Sequence, residues 1–135
     1  MSYRTRKACR GSAMVEFSLV FLLFLMMVFG LMELGKAAWT YNSVAHATRM
    51  GARYAMVHGS LNPATKDQIK SVVKANAVGL DSSKIEVETS WNPSNARGNT
   101  VQVEVSYPFE MTVLNLIVKD KSFTVKSTSN MIIAN

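Results

Sequence analysis

Hydrophobic positions follow two regimes along this chain. From Ala13 to Met32 the residues A-M-V-E-F-S-L-V-F-L-L-F-L-M-M-V-F-G-L-M run with almost no polar interruption. At ~1.5 Å per residue they make a helix of about 30 Å, the depth of a bilayer core. Between Met32 and Ala55 there is no proline, and Gly35 and Gly51 are isolated, so the helix is expected to continue to about Val57 and to end near Gly59. Within this extension Ala47, Gly51 and Ala55 recur every four residues, and Tyr41, Ala45, Thr48, Ala52 and Ala55 recur at four and three. Such a small-residue stripe lets a second surface approach closely, either a helix of another subunit or the protein's own sheet.

The pattern then shortens. Asn62 as N-cap and Pro63 at the first position predict a second helix, with Ile69, Val72, Val73 and Asn76 facing inward and Gly79 ending it. After it the period becomes two: Ile85, Val87, Thr89 and Trp91, then Val101, Val103, Val105 and Tyr107, joined as a hairpin by Asn92 to Asn99. Phe123, Val125, Ser127, Ser129 and Met131 mark a further strand, while Phe109 to Val118 reads equally as strand or short helix. The second helix and the emerging end of the first must cover these strands, which predicts an α+β fold. The expected architecture is a membrane-spanning helix continuing into a small head, with a second helix and a three- to four-stranded antiparallel sheet. The expected organisation is a basic leader over 1–11, a transmembrane helix over 12–33, a helix extension over 34–59 and a head over 60–135.

Charge sharpens this picture. Of the formal net charge of +6, Arg4, Arg6, Lys7 and Arg10 supply +4 in the first eleven residues, leaving +2 for the rest. Basicity concentrated in a segment just before an apolar run holds the N-terminus in the cytoplasm and sends the C-terminus across the membrane; it argues against a nucleic-acid partner. Cys9 is the sole cysteine, so no intramolecular disulfide forms, and its place before the apolar run argues against a lipid anchor. His46 and His58 stand twelve residues apart, about 120° around a helix, so they share no metal-binding face. Lys66, Lys70 and Lys74 fall on one helical line, which reads as a solvated face. No phosphate loop, nucleophile elbow or paired-histidine motif is present. Glu86, Glu88 and Glu104 alternate onto the solvent face of their strands. No enzyme activity, metal or cofactor is expected.

One charge is out of place. Glu16 lies at the start of the apolar block between Val15 and Phe17, where a carboxylate costs about 2.5 to 3.5 kcal/mol at the helix centre and less near the end. An amine about 4 Å away would return roughly 4 kcal/mol at an effective dielectric of 20. Cleavage after Gly11 would create an amine on Ser12, but within one helix four residues of rise hold it ~6 Å away. The Ser12 amine of an adjacent subunit is the better partner.

Gly11, four residues, then Glu16 at the junction of a basic leader and an apolar helix resembles the processing motif of type IV prepilins. More specifically, R-G-S-A-M-V-E-F resembles the TadE-like family of tight-adherence (Tad) pilus proteins. The stretches L-M-E-L-G-K-A-A-W, with Glu33 and Gly35, and A-T-R-M-G-A-R-Y-A, with Arg49 and Arg53, are similar to further segments of that family. The resemblance implies a minor pilin or pseudopilin, cut after Gly11 by a membrane-embedded aspartyl prepilin peptidase. Its implied partners are other pilins of the filament, the inner-membrane assembly platform and the lipid bilayer. Its implied course is from a single-pass inner-membrane precursor, N-terminus cytoplasmic and C-terminus periplasmic, to the pilus surface, serving pilus biogenesis and adherence. Two alternatives stand beside it: an uncleaved single-pass assembly component, and a soluble periplasmic binding module released by a signal peptidase near Ala37 or Ala47.

Overall fold

The structure is a computed structural model that describes residues 9–59, 62–112 and 122–134. It has the order α1 (Cys9–Val57), α2 (Lys66–Asn76), β1 (Glu86–Asn92), β2 (Thr100–Glu110) and β3 (Ser122–Ile132), an α+β fold. The chain divides into two compact units, Met1–Gly35 and Lys36–Asn135. The first contains the apolar part of α1. The second, the head, contains the rest of α1 and all other elements.

In the head, α1 ends at Val57, as the helix-breaking residues beyond it require. Its last carbonyls find partners outside the helical ladder: the Ala134 N–H donates to Met56 O at 3.1 Å, and the His58 N–H to Ala55 O at 3.3 Å. Helix α2 starts later than Asn62 and Pro63 suggest. Thr65 is the N-cap: its hydroxyl accepts from the Gln68 N–H at 3.3 Å, while the Gln68 side chain accepts from the Thr65 N–H at 3.0 Å. Two orphan donors are satisfied at once, which the Asn62–Pro63 pair does not offer. The helix closes at Ala77 rather than Gly79, and Gly79, at φ +78°, takes the left-handed position of the turn that follows.

The three strands form one antiparallel sheet in the order β1-β2-β3. Thr89 pairs with Val103 and Val103 with Ser129, while Val87 pairs with Val105 and Val105 with Ser127. Pairing of like positions keeps every expected inward residue on one face. Val101, Val103 and Val105 on the central strand are buried, as are Ile69 and Val73 of α2 and Ile133 after β3. Phe109 and Glu110 belong to β2 and Met111 and Thr112 follow it outside any strand or helix; residues 113–118 of the ambiguous stretch lie outside the described residues.

The small-residue stripe of α1 supplies the other wall of this core. Ala47, Ala52 and Ala55 are fully buried and belong to the same apolar cluster as Val73, Val101 and Val103. A Cβ on Gly51 would collide with Val73 Cγ2 and lie 3.6 Å from Val103 Cγ1. Of the two surfaces that could face the stripe, the protein's own sheet and α2 occupy it. Tyr41 does not belong to it: it is 57% exposed, and Thr40 and Val44 take the buried positions below Ala47, the spacing that a 3.6-residue repeat gives. Arg49 and Arg53 lie on the exposed side of α1.

Candidate functional site

In the first unit the residues of interest follow one another along α1. Gly11 is helical, with open space where a Cβ would be. Ser12 is inside the helix rather than capping it, since α1 begins at Cys9. Glu16 and Phe17 are exposed; the Phe17 ring stacks on Phe21 with centroids 5.9 Å apart. The Ser18 hydroxyl donates to Met14 O at 2.8 Å, which removes the one hydroxyl of the apolar run from Ala13 to Met32 from the groups needing water. Met14, Phe17, Leu19, Leu23, Met27 and Leu31 are all more than half exposed. A helix apolar on every side and left uncovered by the described residues belongs in lipid or against other apolar helices. The helix over Gly11–Val57 is long and apolar enough to cross a membrane, so this end of the chain is a membrane-insertion segment. Glu16 makes no ion pair among the described residues.

Further along, Gly35 has open space around it and Glu33 is half-buried. Arg4, Arg6 and Lys7 lie outside the described residues, as does the side chain of Arg10. Ala47, Gly51 and Ala55 are taken up by the head's own core.

The head carries its charges on the outside. Glu86, Glu88 and Glu104 share the outward face of the sheet, with Glu88 directly opposite Glu104; Lys126 on β3 approaches Glu104 at 3.3 Å and offsets the like-charge pair. Lys84 Nζ meets Glu110 Oε1 at 2.9 Å, and this bond raises the Lys84 pKa above its ordinary value. The Asp81 carboxylate accepts from the Ser83 hydroxyl at 2.7 Å and the Ser83 N–H at 3.0 Å, which lowers its pKa. His58 stacks on Tyr54 and His46 is exposed. No group of three or more metal-ligating side chains occurs among the described residues.

Two features of the head escaped the pattern of the sequence. Lys36 donates to Glu110 O at 3.3 Å and to Thr112 Oγ1 at 2.8 Å, with its ammonium 5.4 Å from the Phe109 ring centre. The turn at Val78 and Gly79 lies against Trp39. Both are contacts between residues dozens of positions apart, and no local signal announces them.

No curated protein and no solved structure matches the chain. A family model does, that of the TadE-like proteins, over residues 11–53. The match begins at Gly11, includes Glu16, Phe17, Glu33 and Gly35, and ends at Arg53, before the sheet. Over that segment, a lipid-suited helix followed by the small-residue face that seats the head, about a third of its length, the chain is similar to the TadE-like proteins.

Proposed function

We propose that the chain is a minor pilin or pseudopilin of a Tad-type pilus, cut after Gly11 and assembled through its apolar helix, acting in pilus biogenesis and surface adherence. The observation that carries this reading is Glu16, an exposed carboxylate without an ion pair among the described residues, on a helix whose surroundings are otherwise apolar on all sides. In a filament the new Ser12 amine of a neighbouring subunit neutralises it, and the attraction of roughly 4 kcal/mol exceeds an insertion cost that is below about 3 kcal/mol this close to the helix end. Assembly therefore favours addition of a processed subunit over an unprocessed one.

Cleavage requires the first turns of α1 to unwind, since Gly11 is helical in the uncut chain. Glycine there lowers the cost of unwinding by about 1 kcal/mol relative to alanine and leaves space for a protease wall. The prepilin peptidase, companion pilins, the assembly platform and the bilayer are the partners, with the N-terminus cytoplasmic and the head outside before extraction into the pilus. The role is structural rather than catalytic.

Mass spectrometry of the native polypeptide tests the reading: it should begin at Ser12. Gly11→Leu should leave an uncut precursor in the membrane fraction. Glu16→Ala should be cut yet missing from sheared filaments; normal incorporation of that variant would remove the neutralising role of the neighbour's amine. A native chain still carrying residues 1–11 would favour an uncleaved membrane component instead.

A further inference from the structure

The chain enters the head at Lys36, and Trp39, one turn later, is 60% exposed. Beside it stands Val78, 64% exposed at the tip of the turn between α2 and β1. This turn is fastened to α1 rather than loose. The Ser43 hydroxyl donates to Val78 O at 2.8 Å, the Leu80 N–H donates to Ala77 O at 3.3 Å, and a Cβ on Gly79 would stand 3.2 Å from Trp39 Nε1. Shallow clefts of about 220 Å³ and about 210 Å³ flank the indole, the first lined by Trp39, Val78 and His46 among others, the second by Lys36, Lys84 and Phe109 among others.

We infer that this pole of the head, Trp39 with the clasped turn Val78–Gly79, is a seat on the lipid surface that holds the head against the bilayer before the subunit leaves it. Three observations converge on lipid. The patch is continuous along the chain with the membrane-insertion segment, since Trp39 follows Met32 by seven residues. Its centre is an indole, whose apolar body and N–H suit the headgroup level. Its cations are already engaged, Lys36 by Glu110 O and Thr112, Lys84 by the Glu110 carboxylate, so insertion of Trp39 and Val78 drives the contact and anionic lipid is not required. The inference rests on membrane insertion of the first unit.

The test uses the full chain in phosphatidylcholine vesicles, with Cys9→Ser removing the native thiol. Nitroxides are placed through Val78→Cys, Ala96→Cys and Leu23→Cys, and their collisions with oxygen and with a water-soluble nickel chelate are compared. The label at 78 should show an oxygen-to-nickel ratio several-fold above that at the exposed loop position 96, unchanged when phosphatidylglycerol is added. In a Trp91→Phe background, Val78→Asp should reduce quenching of Trp39 by lipids brominated near the headgroup at least about twofold. If 78 matches 96 while 23 lies in the hydrocarbon, the seat is wrong and insertion stands. If 78 is shielded from both reagents and broadened by neighbouring copies, a second subunit occupies the patch and the lipid assignment is overturned. A nickel-accessible label at 23 would overturn insertion itself, and the seat with it.

Discussion

Replacing Gly51 by alanine sets two effects of known size against each other. In the interior of a helix alanine is favoured over glycine by about 1 kcal/mol, so propensity alone makes the variant more stable. Packing opposes it: the new methyl would collide with Val73 Cγ2, with Val103 Cγ1 at 3.6 Å and Ile69 Cγ2 at 3.7 Å closing the other sides. Val73 is fully buried on α2, and a β-branched residue in a helix has one strongly preferred χ1 well, so the methyl cannot be avoided by rotation. Overpacking costs about 1 to 3 kcal/mol, and the rigid neighbour puts this case near the upper end. The net expectation is a loss of about 2 kcal/mol, roughly 30-fold in the folded-to-unfolded ratio. Urea unfolding of the full chain in a mild detergent, followed by the fluorescence of Trp91 against the core, measures it as a fall in midpoint at constant slope. Val73→Ala in the same chain should relieve the collision, so that the double variant loses less than the two single losses added. A Gly51→Ala protein more stable than the parent would mean that α1 does not lie this close to α2 and the sheet, and the assigned core would be wrong.

Three further expectations follow from particular contacts. Thr65→Ala removes the hydroxyl half of the reciprocal cap and should cost about 1 kcal/mol of head stability in the same unfolding assay, with Thr65→Ser restoring most of it. Val103→Thr keeps the volume but places a hydroxyl at a fully buried position and should cost about 1 to 3 kcal/mol, whereas the same exchange at the exposed Val78 should be nearly neutral. The lowered pKa of Asp81 means that its bonds to Ser83 contribute above the ordinary carboxylate value of 3.8 and are lost as pH falls through the lower folded value; Asp81→Asn should therefore reduce the difference in unfolding midpoint between pH 7 and pH 3.

The apolar block, the position of Glu16 within it and the switch to period two after Ile85 are local patterns, so the sequence by itself determined the lipid-suited helix, both strand-rich segments and the face each strand turns inward. The family resemblance was legible for the same reason, since Gly11, Glu16, Glu33 and Gly35 lie in one continuous run. Local chemistry also encoded the start of α2, in Thr65 and Gln68, although Asn62 and Pro63 form an equally familiar signal three residues earlier. What lines the small-residue stripe was open, because Ala47, Gly51 and Ala55 suit any close neighbour; only the folded head assigns them to Val73 and Val103. The bonds of Lys36 to Glu110 and Thr112, and the turn clasped against Trp39, likewise depend on the register of a three-stranded sheet. Periodicity fixes which side of an element is apolar, but which element meets which is decided by packing among segments distant in the chain.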